Sequence, residues 1–258
     1  MPDEEPFYHL LADVYDLLFP VTDAQRGFFV ELAGKQGVSR VLDVACGSGE
    51  QAALFRELGL HVSALEYDER MVECVRAKGL AIDVRLGSME HVAELFTPGY
   101  DLVLCIGNSL PHLPRLAAVE RAVRGMVSLL NQGGLLVLST VNFDRVIRDR
   151  ITSLPTKRIE DSAGRSIVFE RFYDLAPLPA HITFSTRLSV HGTARTASVA
   201  LVPISPEWLS NLVVNVGLRV TGSYADFSRS PFAPQAASLV LVAARGEGHE
   251  AQADDAGE

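Results

Sequence analysis

Five short apolar runs recur at near-even intervals through the first 140 residues, at 40–44, 62–66, 82–86, 100–106 and 135–140. Apart from 82–86, where Asp83 and Arg85 share one face, each carries Val, Leu or Ile on both side-chain faces. A strand of that kind has no face to give to water, so it must be covered above and below, as in a parallel sheet layered between helices. The gaps supply those helices. Segments 50–58, 68–78 and 115–130 carry apolar positions at three and four spacing, and Gly59, Gly79 and the turn at 131–134 offer C-terminal stops. The alternation implies a doubly wound, mostly parallel α/β sheet with right-handed crossovers. At 258 residues the chain is long enough for one such domain and a modest insertion.

After Val141 the texture changes. Segments 156–160, 166–175, 181–191 and 193–202 alternate apolar and polar residues, separated by Ala163-Gly164, a proline-rich turn at 177–179 and Gly192. That is antiparallel strand chemistry, and it predicts a small β-insert after the fifth strand, placed to cover the open edge or the mouth of the main domain. Ser205-Pro206 then starts a helix running to about Asn215, followed by strands at 219–224 and 238–244. The expected division is a helical lead-in over 1–36, a ligand-binding core over 37–150, the insert over 151–204, the last helix and strands over 205–245, and a disordered polar tail over 246–258.

Charge narrows the partners. With 23 Lys+Arg against 32 Asp+Glu the net charge is -9, which repels a polyanion, so nucleic acid is not expected. No apolar run reaches the roughly 18 to 20 residues of a membrane span. The three cysteines show no metal-ligand spacing and the acidic start lacks a signal-peptide pattern, so no metal and a reducing cytoplasm are expected. A homo-oligomer is compatible with all of this.

The first strand runs straight into a glycine turn: Val41-Leu42-Asp43-Val44-Ala45-Cys46-Gly47-Ser48-Gly49-Glu50. Gly47 and Gly49 let a ligand approach the backbone beside the next helix's N-terminal amides. Glu66 closes the second strand, 19 residues beyond Gly47, where a carboxylate can accept two hydrogen bonds from a ribose diol. Gly47 to Ala52 also satisfies the dinucleotide pattern G-x-G-x-x-G/A. Asp43 argues against that ligand, since a carboxylate repels a pyrophosphate and attracts an ammonium. An adenosine joined to a methionyl zwitterion, S-adenosylmethionine, fits better.

These motifs resemble those of class I S-adenosylmethionine-dependent methyltransferases. VLDVACGSG is similar to their first motif, with Ala45 replacing a frequent glycine, a change that is tolerable if its φ is not positive. Residues 64–71 resemble the second motif, which implies that Glu66 holds the ribose while Tyr67 and Met71 flank the adenine or sugar. In the third region Ser88 stands where many members have an aspartate on the adenine amine, and Met89 adjoins the same base. The resemblance further implies a seven-stranded sheet with an antiparallel last strand, and S-adenosylhomocysteine as product.

The fourth strand leads into Cys105-Ile106-Gly107-Asn108-Ser109-Leu110-Pro111-His112-Leu113, similar to the GNSxxHL segment of glycine and sarcosine N-methyltransferases. A small-molecule acceptor belongs here, an amine nitrogen attacking the methyl in line; a small-molecule O-methyltransferase and a non-catalytic S-adenosylmethionine-binding protein are the alternatives. Asn108 either orients the acceptor or sulfonium, or ties the turn. His112 either takes a proton or bonds the loop. Tyr15, in a lead-in similar to that of many such enzymes, either closes the site over the cofactor or packs on the core. Cys46, Cys105 and Gly107 stand at strand ends beside the ligand, the cysteines as small packing residues. In the insert, Arg171 or Arg187 either grips an acceptor carboxylate or forms solvated cross-strand pairs.

Overall fold

The computed structural model describes residues 8–161 and 163–246; the expected disordered tail lies, from residue 247 on, outside the described residues. A short lead-in with α1 (Tyr15–Leu18) and α2 (Asp23–Gln36) precedes β1 (Arg40–Val44), α3 (Glu50–Glu57), β2 (His61–Glu66), α4 (Glu69–Ala77), β3 (Ile82–Leu86), α5 (Val92–Leu95), β4 (Tyr100–Cys105), α6 (Leu116–Ser128) and β5 (Leu130–Val141). Then come α7 (Phe143–Arg148), β6 (Ser153–Glu160), β7 (Ser166–Asp174), β8 (Ile182–Val190), β9 (Thr193–Leu201), α8 (Pro206–Asn215), β10 (Leu218–Tyr224) and β11 (Ser238–Arg245).

The main sheet has seven strands in the order β10-β11-β5-β4-β1-β2-β3, and only β11 runs against the rest. Apolar residues on both strand faces find the two layers they require. Along β4, Val103 and Cys105 point into one core with α6 and α8, while Leu102 and Leu104 point into the other with Phe28 and Phe29 of α2 and Phe55 of α3. Because the order reverses between β1 and β4, the carboxyl ends of these strands open a crevice at that point.

Two boundaries differ from expectation: β6 starts at Ser153 rather than 156, and β5 starts at Leu130 rather than 135. The 131–134 segment is not a stop after the helix but part of β5: Leu130 opposes Tyr100 and Leu135 opposes Leu102, so the residues between them bulge. Gly133 takes φ 74°, and a Cβ on Gly134 would sit 2.9 Å from the Asn131 carbonyl, so the strand absorbs the extra chain on two glycines.

The insert forms a four-stranded antiparallel sheet, β6-β7-β8-β9, joined by successive hairpins. Its inward face packs Ile167, Phe169 and Leu188 onto Leu11 and Leu18 of the lead-in and Met71 of α4, and Tyr173, Ile182 and Leu201 onto Phe143 and Val146 of α7. Among the described residues no helix is long and apolar enough to cross a membrane.

Candidate functional site

The crevice holds two cavities, of about 590 Å³ and 330 Å³, that share Tyr8, Tyr15, Ala45, Ser109 and His112. They are one cleft pinched at this ring. The smaller half is also lined by Gly47, Glu66, Tyr67, Ser88 and Met89; the larger contains Asp43, Cys46, Gln51, Gly107 and Asn108 and extends to the insert.

The glycine loop is organised by Glu66. Its Oε2 accepts the Gly47 N–H at 2.7 Å, and its Oε1 accepts those of Tyr67 at 2.7 Å and Asp68 at 3.0 Å. A carboxylate offers about four lone-pair directions, so roughly one remains for a ribose hydroxyl rather than the two the sequence suggests. Burial pushes the Glu66 carboxyl up, opposed by these three donors. Tyr67 is 76% exposed at the rim. Ser88 accepts the Glu90 N–H at 3.3 Å and caps the turn that carries Met89.

Gly47 has φ 57°, and a Cβ there would lie 3.1 Å from the Tyr15 ring, so that ring lies close against the loop. Around it, Ser48 donates to Asp16, and Lys78 bonds Asp16 at 2.5 Å and Glu50 at 2.6 Å, tying the lead-in to the loop. Ala45 has φ 60°, contrary to the condition under which alanine is well tolerated; the left-handed backbone is held although the residue carries a Cβ.

Asp43 is 1% exposed, and its Oδ2 has no hydrogen-bond partner. Burial, then the Glu66 charge, pushes its carboxyl up to about 7. Both polar atoms of the buried Gln51 side chain are likewise unpartnered.

After β4 the loop is tied to the end of β5. The Gly107 N–H donates to Ser139 Oγ at 3.2 Å, and Asn108 Oδ1 accepts from the Val141 N–H at 2.9 Å and the Thr140 hydroxyl at 3.1 Å. Asn108, at φ 71°, therefore ties the turn while also lining the cleft. His112 Nε2 lies 3.0 Å from the Tyr8 hydroxyl, and burial pushes its pKa down to about 4. A neutral imidazole that takes up a proton so reluctantly is a poor general base at neutral pH.

Three expected ligand contacts fall outside the linings. Gly49 has φ 84°, and a Cβ on it would meet Val75 Cγ2 at 2.8 Å, so it serves the close packing of α3 on α4. Met71 is fully buried under the lead-in and insert, because it follows the Asp68 cap and turns inward with α4. Cys105 is fully buried in the main core, where burial pushes its thiol up.

Sequence reasoning missed Tyr8, Gln51 and Lys157. Tyr8 heads the same lead-in as Tyr15, and Gln51 lies in the first turn of the helix after the glycine loop; Lys157 carried no positional hint.

A family profile described as a methyltransferase domain matches residues 41–134, from β1 into the β5 bulge. Among curated proteins, a ubiquinone biosynthesis O-methyltransferase of Xanthomonas oryzae is 36% identical over 117 residues, 44% of this chain and 46% of that protein. The human glycine N-methyltransferase is 26% identical over 149 residues, 49% of this chain and 48% of that protein. The chain thus spans about half the length of the curated relatives it matches. Among solved structures, an S-adenosylmethionine-dependent methyltransferase of Clostridium acetobutylicum superposes with a TM-score of 0.76 at 12% identity, over 93% of this chain and all of that one, a likeness of fold.

Proposed function

We propose that the chain is a class I S-adenosylmethionine-dependent methyltransferase and that it methylates a small-molecule acceptor at an amine nitrogen. The observation that carries the methyl-donor part of this reading is the unmet polar set beside the glycine loop. Asp43 Oδ2 and the Gln51 carboxamide, buried and without partners, complement the ammonium and carboxylate of a methionyl group. At the other end, the remaining acceptor direction of Glu66 suits a ribose hydroxyl, and Tyr67, Ser88 and Met89 frame space for the adenine.

When bound, S-adenosylmethionine supplies an already activated methyl on sulfonium sulfur. The protein's work is then alignment and exclusion of water. Tyr15 and Tyr8 roof the pinch between the cavities, and Asn108 fixes the loop that sets the direction of approach. His112, bonded to Tyr8 and with its pKa pushed down by burial, shapes this passage and is poorly suited to accept a proton at neutral pH. An amine that arrives neutral needs no strong base, which is why the nitrogen acceptor is favoured here.

The relative from Xanthomonas keeps O-methylation as the second reading. Incubation with isotopically methyl-labelled donor and a panel of amines and matched alcohols, read by mass spectrometry, decides between them. An N-methyl product is expected. An O-methyl product moves the assignment to the second reading, and saturable donor binding without any methylated product makes the protein a non-catalytic binder.

A further inference from the structure

We propose that the acceptor carries an anionic group, a carboxylate or a phosphate, which docks against Arg171 and Lys157 on the insert wall of the larger cavity. The inference rests on reading the insert end of that cavity, away from Asp43 and Gln51, as the acceptor side of a methyl-transfer cleft.

Alternation along a strand fixes which residues of the insert face inward. On β7 the inward row is Ile167, Phe169, Arg171 and Tyr173, all deeply buried except the arginine, which is half-buried. Opposite it in register on β8 stands Thr186, 1% exposed, the inward polar residue among Ile182, Phe184 and Leu188. Lys157 of β6 faces the same way, paired with Phe169. A sheet that needed only to cover the main domain would put apolar side chains at these places.

Both cations lack a counter-ion among the described residues. Lys157 donates to the Leu18 carbonyl and lies 4.4 Å from the Phe19 ring centre; Arg171 Nη2 donates to the Pro155 carbonyl at 2.8 Å and its guanidinium lies 5.5 Å from that of Phe169. These contacts position the charges and do not neutralise them. Arg171 Nε and Thr186 Oγ1 are buried without any partner. A guanidinium cannot shed its proton to relieve the cost, so the missing partner must come from outside the chain. Burial pushes both cations down, the lysine further through the neighbouring guanidinium.

The carboxylates of this cavity, Asp43 and Glu50, lie at the opposite, glycine-loop end, and Glu50 is already bonded to Lys78 at 2.6 Å. The cleft is therefore polar along its length, and an acceptor anchored by an anion at the insert would present its other end to the pinch. The outward Arg187 lies opposite Glu170 and takes no part.

The aromatic lining by Phe19, Phe169 and Tyr173 makes two matched probe pairs suitable: benzoate with benzamide, and phenylphosphonate with its neutral dimethyl ester. Binding of each to protein saturated with S-adenosylhomocysteine is measured by calorimetry. At least one anion is expected to bind about ten-fold or more tightly than its neutral partner, since bonds to charged groups are worth that much. The tighter anion identifies the group. The preference should vanish in Arg171→Gln, weaken in Lys157→Gln and be partly kept in Arg171→Lys. Equal binding within both pairs, no binding of either anion, or a preference that survives both glutamine variants overturns the proposal. Titration of S-adenosylhomocysteine into every variant verifies folding and separates the failures. Its absence from the wild-type protein defeats the methyl-transfer reading, whereas its presence without anion preference defeats only this inference.

Discussion

The two halves of the cleft are built by different means. The smaller half and the glycine loop are made largely of backbone: amides gathered by Glu66, glycines at positive φ, and strand ends fixed by the parallel register of β1 and β2. The insert half is made of side chains projected from an antiparallel sheet, Lys157 and Arg171 among aromatic rings. A site made of backbone is bound to particular residue types at particular distances along the chain. A site made of side chains depends on which strand faces inward, and many sequences satisfy that equally.

The sharpest way to break the comparison is to disturb the backbone half from behind. Gly49→Val places a branched side chain at φ 84° against Val75, and we expect a loss of about 2–4 kcal/mol in thermal or denaturant unfolding. Loss of ligand affinity with unchanged stability would instead make Gly49 a contact residue.

Next in size is the coupling of Asp43 to pH. Its folded pKa, raised to about 7 from 3.8, means that its share of stability is complete below about pH 3.8 and is lost as pH rises through about 7. An ammonium ligand reverses the preference by favouring the carboxylate. Affinity for S-adenosylhomocysteine should therefore rise about ten-fold between about pH 6 and pH 8, and Asp43→Asn should flatten that profile. A wild-type profile already flat would remove the ammonium from this carboxylate.

His112 probes the passage between the halves. A general base contributes about 10²–10⁴-fold, yet this imidazole is held neutral with a pKa near 4, so His112→Asn should change kcat by less than about ten-fold. A larger fall with an inflection near neutrality would restore it as the base. The smallest effect belongs to Ala45→Gly, which relieves a left-handed alanine and should raise stability by up to about 1 kcal/mol, read as a higher Tm.

The parallel core was legible because strands buried on both faces carry apolar residues at successive positions, as 102–106 and 135–138 do. Glu66 was legible from its place at the second strand's end, but its three backbone bonds were not, since they depend on how the loop curls around it. Met71 and Cys105 were misplaced because adjacency in sequence to a ligand-binding segment does not fix direction; a helix turns and a strand alternates. Ala45 was read as tolerable only without a positive φ, and whether that condition holds is set by the turn and not by composition. Arg171 was visible among several charges of the insert, and only the register opposite Thr186 separates it from Arg187.

The most direct measurement is calorimetric titration of S-adenosylhomocysteine into the wild-type protein and Glu66→Gln, with NADH as competitor. The account predicts saturable one-to-one binding that NADH does not displace and that weakens about ten- to hundred-fold in the variant, as expected when a charged acceptor becomes neutral. No binding to the wild-type protein, or displacement by the dinucleotide, would contradict it.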